Sequence, residues 1–142
     1  MSLRKRLILD ANILIRGILG VRVPDILERY SNRASFYTAS VCFSDVEKYL
    51  PVILQKQGHI DSGQAFNALD LLQQIVQPLS EQVYCHYEVE AKERIQQQDI
   101  DDWPLIALAL TLDCPIWTED KDFFGTGIAT WRTRNVEIYL SG

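Results

Sequence analysis

The chain has 142 residues, 47% of them hydrophobic and 23% charged, and a formal net charge of −5. That length and composition are those of one globular domain, read as residues 1–142, which can fold without disulfides or a structural metal. A disordered tail, a collagen-like repeat and a coiled coil are excluded, no apolar run approaches the roughly 20 residues of a membrane helix, and the basic start lacks the apolar stretch of a signal peptide.

Arg6 to Asp10 (RLILD) reads as a short buried strand ending in an acid. Asn12 to Leu19 reads as a helix with Asn12 as its cap and Gly20 as its stop. A second short helix follows Pro24, and Phe36 to Val41 reads as a second strand. Ser44 opens a helix to about Gln57, with Glu47 at the capping-box spacing and Gly58 at its end. After a turn from Gly58 to Gly63, Asp61 or Ser62 caps a long helix carrying Ala65, Phe66, Leu69, Leu72 and Ile75 on one stripe. Pro78 breaks it, and Ser80 opens another helix with Val83, Tyr87, Val89, Ala91 and Ile95. The run Asp99 to Asp102 precedes an apolar helix, Leu105 to Leu112, with Pro104 in its first turn. Ile116 to Thr118 reads as a strand followed by Glu119, Asp120 and Asp122, and Val136 to Leu140 as a last strand. Strands alternating with helices imply a mostly parallel sheet covered on both faces, an α/β class. Such sheets bind ligands at the carboxyl ends of their strands.

Cys42, Cys85 and Cys114 are far apart and lie in no CxxC, which fits reduced thiols in a cytoplasmic protein and gives no zinc framework. Two histidines are too few for a His-based metal cluster. Charge is unevenly spread. Up to Arg33, seven Lys/Arg face three acids, whereas seven acids between Asp99 and Asp122 are opposed only by Lys121. Concentrated like charge costs folding energy unless solvent or a cation compensates it.

Asp10, Glu47, Asp102 and Asp120 are the candidates for chemistry. Carboxylates are hard oxygen ligands suited to Mg²⁺ or Mn²⁺. Clustered without a cation, one or more takes up a proton. A divalent metal in such a cluster supports phosphodiester hydrolysis with no His, Cys or Ser nucleophile. Each acid also has an ordinary role. Asp10 can cap the helix after it, Glu47 can complete the Ser44 box, Asp101 and Asp102 can serve the helix dipole, and Asp120 and Asp122 can be turn residues.

The runs Leu7–Leu14 (LILDANIL), Ser44–Leu50 (SDVEKYL), Asp101–Leu110 (DDWPLIALAL) and Pro115–Phe123 (PIWTEDKDF) together resemble a PIN domain over essentially the whole chain. The chain is similar in size to prokaryotic members that are ribonuclease toxins of the virulence-associated protein C kind. The resemblance implies a three-layer α/β/α sandwich and RNA cleavage with Mg²⁺ or Mn²⁺. It also implies a homodimer held by a small antitoxin. By its pattern Asp10 is the first metal ligand with Asn12 as a polar neighbour, Glu47 the acid within the third helix, Asp102 the third acid, and Asp120 the fourth, with Thr118 supporting it. Asp10 and Asp102 then hold the principal metal, and Glu47 and Asp120 a second metal or the water. In-line attack by water leaves a 5′-phosphate and a 3′-hydroxyl.

This chain departs from the pattern at Trp103 and Pro104, which replace small residues. Asp101 competes with Asp102, and Asp122 can supplement or replace Asp120. Arg4, Lys5, Arg6, Arg16, Arg22, Arg132 and Arg134 are candidate phosphate contacts, and Tyr37, Trp103 and Trp131 candidate base contacts. Each has an equally ordinary surface or core role, and none is assigned.

A haloacid-dehalogenase-like phosphatase needs an acid where Asn12 stands, and a receiver domain needs an acidic pair after the first strand. The remaining rival is a PIN-like scaffold that is catalytically weak or inactive and acts by protein binding.

Overall fold

The computed structural model describes residues 4–58 and 61–142. The elements run β1 (Lys5–Leu9), α1 (Ala11–Leu19), α2 (Arg22–Tyr30), β2 (Ala34–Ala39), α3 (Ser40–Gln57), α4 (Ser62–Ile75), β3 (Val76–Leu79), α5 (Glu81–Tyr84), α6 (Glu88–Ile95), α7 (Trp103–Leu112), β4 (Ile116–Trp117), β5 (Thr130–Trp131) and α8 (Val136–Ser141). All five strands are parallel, in the order β3-β2-β1-β4-β5. Helices flank the sheet, as the α/β/α expectation required. α1 packs on α2, α3 and α4, while α7 packs on α5 and α6 and lies against β1 and β2.

β1 is the central strand. Leu7, Ile8 and Leu9 are fully buried, which is why this strand reads as an unbroken apolar run and not as an alternation. α7 is apolar all round for the same reason. Leu105 to Ala109 are all buried, and Ala107 and Ala109 are small enough for the helix to lie close to the sheet. Gly17 has a comparable role between α1 and α4, where an added Cβ would stand 3.1 Å from Leu72 Cδ1.

Several boundaries differ from the sequence reading. Asp10, not Asn12, caps α1: its carboxylate accepts from the Ala11 N–H. α2 begins at Arg22, with Pro24 inside its first turn, where a missing N–H costs little. β2 ends at Ala39 and α3 begins at Ser40, so Ser44 lies one turn inside the helix and its hydroxyl donates back to the Ser40 carbonyl at 3.3 Å. The Ser44–Glu47 capping box therefore does not form. Gly58 ends α3 as expected, at φ +68°, with its N–H bonded to the Leu54 carbonyl. Asp61 caps α4 through the Gly63 N–H, and the part of the Gly58–Gly63 turn at residues 59 and 60 lies outside the described residues.

Pro78 does not simply terminate α4. It sits in β3, an edge strand, where a missing N–H is tolerated. The helix expected after Ser80 is divided into α5, a 3-10 turn at Cys85–Tyr87, and α6. Val136 to Leu140 is a helix, α8, and not a strand. Val136 and Leu140, four residues apart, are buried, while Ile138 between them is 69% exposed. Glu137 on α8 accepts hydrogen bonds from Arg22 and Arg29 of α2 and from the Tyr30 hydroxyl, which fixes the helix on α2. The last strand is β5, two residues long, too short to show any period.

Candidate metal centre

Strand order reverses at β1: the chain passes outward through β2 and β3, then returns to build β4 on the other side. The carboxyl ends of β1 and β4 flank this switch point, the favoured ligand position in open α/β sheets. Asp10 follows β1 and Thr118 follows β4, and their side chains meet there.

Asp10 is 6% exposed. One carboxylate oxygen accepts from the Ala11 N–H at 2.7 Å. The other accepts from Thr118 Oγ1 at 2.7 Å and Asn12 Nδ2 at 3.0 Å. Burial pushes its pKa above the usual carboxylate value. The hydrogen bonds from Thr118, Ala11 and Asn12 oppose that, and the nearby Asp120 charge adds to it. Thr118 Oγ1 also accepts from the Asp120 N–H at 2.9 Å, and the Glu119 N–H donates to Asn12 Oδ1 at 3.3 Å. Asn12 and Thr118 therefore tie the β1 and β4 ends together, beside the acids expected there.

Asp120 turns the chain by accepting from the Asp122 N–H at 3.0 Å. Opposite, a 3-10 turn at Ile100–Asp102 is closed by Asp99, whose carboxylate accepts from the Asp101 N–H at 3.0 Å. That turn delivers Asp102 to the start of α7. One oxygen each of Asp102, Asp120 and Asp122 then lie within 4.8 Å of one another, the only such group of potential metal ligands among the described residues. Asp102 is half-buried, and its pKa is pushed up to about 7. Burial is the largest cause, followed by the charges of Asp10, Asp99, Asp120 and Asp122. An all-oxygen donor set crowded enough to hold a proton near neutrality fits a hard divalent cation such as Mg²⁺ or Mn²⁺.

The structure thus brings Asp10, Asp102 and Asp120 to one rim, with Asn12 and Thr118 between them. Glu47 does not join them. It is exposed on α3, and its Oε1 accepts from Gln73 Nε2 of α4 at 2.9 Å. The α3 acid that lines the cleft is Asp45. Two residues apart on a helix is a rotation of about 200°, so the two acids cannot share a face. Asp45 stands one turn after Val41, another cleft residue. The signal that could have identified it was the apolar stripe of Cys42, Val46 and Leu50 beside it, hidden by the apparent Ser44 box. Asp101 lines the cleft without entering the Asp102 cluster, whereas Asp122 joins Asp120 in it.

The cleft over this rim has a volume of about 440 Å³. Cys42 also lines it, but burial pushes its thiol up to about 12, which removes it as a nucleophile. Of the basic candidates, Arg4 donates to the Ser31, Asn32 and Ala34 carbonyls, at the opposite end of the parallel sheet. Lys5 and Arg6 belong to β1 near that same end, and Arg22 is paired with Glu137.

A PIN domain family model matches residues 8–141. The chain belongs to the PIN domain family. Several solved structures share its fold. VapBC2 from Rickettsia felis, solved bound to a DNA fragment from its promoter, superposes with a TM-score of 0.68 at 13% identity, covering 89% of this chain and 98% of that one. PAE2754 from Pyrobaculum aerophilum gives 0.70 at 13% identity, over 96% and 90%. VapBC-1 from nontypeable Haemophilus influenzae gives 0.61 at 16% identity, over 91% and 98%. No curated protein sequence matches this PIN domain.

Proposed function

We propose that this PIN domain is a divalent-metal-dependent endoribonuclease, the toxin of a toxin–antitoxin pair. The observation that carries the reading is the convergence of Asp102, Asp120 and Asp122 within 4.8 Å, beside a buried Asp10 fixed by three hydrogen bonds. Asp10, Asp102, Asp120 and Asp122 would hold Mg²⁺ or Mn²⁺. When bound, such an ion acts as a Lewis acid toward the phosphate and lowers the pKa of water. The chain's own residues supply position. Thr118 and Asn12 hold Asp10 in one orientation, Thr118 holds the Asp120 backbone, and the Asp99 turn sets Asp102. Asp45 lines the same cleft and would orient the attacking water. Hydrolysis leaves a 5′-phosphate and a 3′-hydroxyl.

A groove of about 520 Å³ between α1, α2 and α4 supports the partner part of the reading. Leu71 and Ile75 line it and are 60% and 38% exposed. Apolar surface of this kind marks protein contact, whether with an antitoxin or with a second copy in a homodimer. The same groove is what favours the scaffold alternative, in which the domain acts by protein binding with little catalysis.

The test is cleavage of end-labelled RNAs by the protein with Mn²⁺, by the protein with EDTA, and by Asp102→Asn with Mn²⁺. Cleavage in the first reaction and loss of about 100-fold or more in the other two is expected, since even residues that only support metal ligands cost 10–100-fold. Equal cleavage by Asp102→Asn overturns the metal assignment. No cleavage by the intact protein moves the reading to the scaffold.

A further inference from the structure

We propose that Trp103 and Glu81 form a base-binding subsite beside the metal centre, which takes one unpaired, amino-bearing nucleobase of a single-stranded RNA. The proposal rests on the ribonuclease reading and names the substrate feature that the cleft selects.

Trp103 directly follows Asp102 and opens α7, and both line the same cleft. It is half-buried and lines the cleft that also contains Asp10 and Asp102. The ring is held from two sides. Buried Tyr84 meets it edge-on, with centroids 5.7 Å apart and planes at 65°. Lys92 Nζ lies 5.3 Å from its centroid and is itself paired with Glu88 at 2.6 Å. Pro104 fixes the backbone immediately after it. Packing against Tyr84 accounts for the buried part of the ring but not for its place in the cleft wall. The charged side chains of that wall are all carboxylates, which repel a phosphate. Lys92 stands over one face of the ring, so a base stacks on the part of Trp103 that lines the cleft, and stacking accepts any base because every base has a π face.

Glu81 is one helical turn before Tyr84 on α5, so the two share a face and both line the cleft. Its carboxylate is exposed and accepts no hydrogen bond among the described residues. An ionised carboxylate reads a base edge by accepting from an exocyclic amine. Uracil has no such group. The volume of about 440 Å³ falls within the roughly 300–1,000 Å³ of small-molecule sites, enough for one base beside the cluster.

The experiment compares the intact protein with Trp103→Ala, Trp103→Phe and Glu81→Gln on single-stranded RNA with Mn²⁺. KM, kcat, cleavage-site base composition and the Mn²⁺ concentration at half-maximal thermal stabilisation are read together. Trp103→Ala should raise KM about tenfold or more, the order expected for one lost base stack, with kcat changed less and the Mn²⁺ midpoint unchanged. Trp103→Phe should restore most of the loss, Glu81→Gln should weaken the preference for amino-bearing bases, and annealing the RNA into a duplex should protect it. A KM within twofold of the intact protein in Trp103→Ala overturns the proposal. So does a Mn²⁺ midpoint that moves as far as KM, because Trp103 would then act only through the fold. If the intact protein cleaves no RNA, the ribonuclease reading fails first, and tryptophan fluorescence still decides the subsite. Quenching by single-stranded RNA that is lost in Trp103→Phe supports it, and its absence overturns it.

Discussion

Asp10 and Asp102 face the same cleft but are held in opposite ways. Asp10 is buried and accepts three hydrogen bonds, so the protein has already supplied its partners. Asp102 accepts none among the described residues, and burial, followed by the charges of four other acids, raises its pKa to about 7. Asp10 is therefore oriented before any ion binds, whereas the cluster of Asp102 with Asp120 and Asp122 is completed only by a proton or a metal. The difference separates an acid that the protein has already oriented from one that waits for its ion.

The largest expected effect tests that incompleteness. Saturating Mn²⁺ should raise the melting temperature by mass action, about 2.7 kcal/mol at a hundred times the dissociation constant, and on the order of 10 °C for a domain of this size. Without metal, the folded Asp102 protonates near pH 7 but near 3.8 when unfolded. Between those values the folded chain binds more protons, so stability should fall as pH rises from about 4 to about 7. Mn²⁺ should then be most stabilising above pH 7, where the proton no longer competes. Thermal melts across pH check both points. Asp102→Asn should flatten the pH slope and shrink the Mn²⁺ rise, and an equal rise in both proteins would place the metal elsewhere.

Thr118→Val probes the oriented acid. It removes one donor to Asp10 and the acceptor for the Asp120 N–H while keeping the shape of the side chain. Activity should drop about 10–100-fold, and stability by about 1–3 kcal/mol for the partners left unpaired. Denaturant unfolding and initial rates measure the two separately. Unchanged rates would mean that Asp10 orients itself without Thr118.

The smallest effect is expected at Glu47. Glu47→Gln should alter cleavage by less than about twofold and stability by less than about 0.5 kcal/mol, as for an exposed polar substitution. Asp45→Asn, two residues away, should cost about tenfold or more in activity. The reverse order would return Glu47 to the site.

Much of this site is legible along the chain because its parts are local. Asp10 terminates an apolar strand that is buried on both faces, and the Thr-Glu-Asp run after β4 carries its own turn. The small, apolar character of α7 records its place against the sheet. These features depend on period, capping and burial, which neighbouring residues express directly. What only the tertiary structure decided concerns orientation and pairing. Asp45 rather than Glu47 reaches the cleft because the buried stripe of Cys42, Phe43, Val46, Leu50 and Leu54 sets how α3 is turned, and the two acids point about 200° apart. Pro78 became part of a strand because β3 is an edge, a property no local pattern contains. Val136 to Leu140 has the alternation of a strand, yet Glu137 finds Arg22, Arg29 and Tyr30 on α2, and helical spacing buries Val136 and Leu140 together. Asp102 lies 18 residues before Asp120 and 20 before Asp122 in sequence, and they meet because α7 starts at the rim where the parallel strand β4 ends.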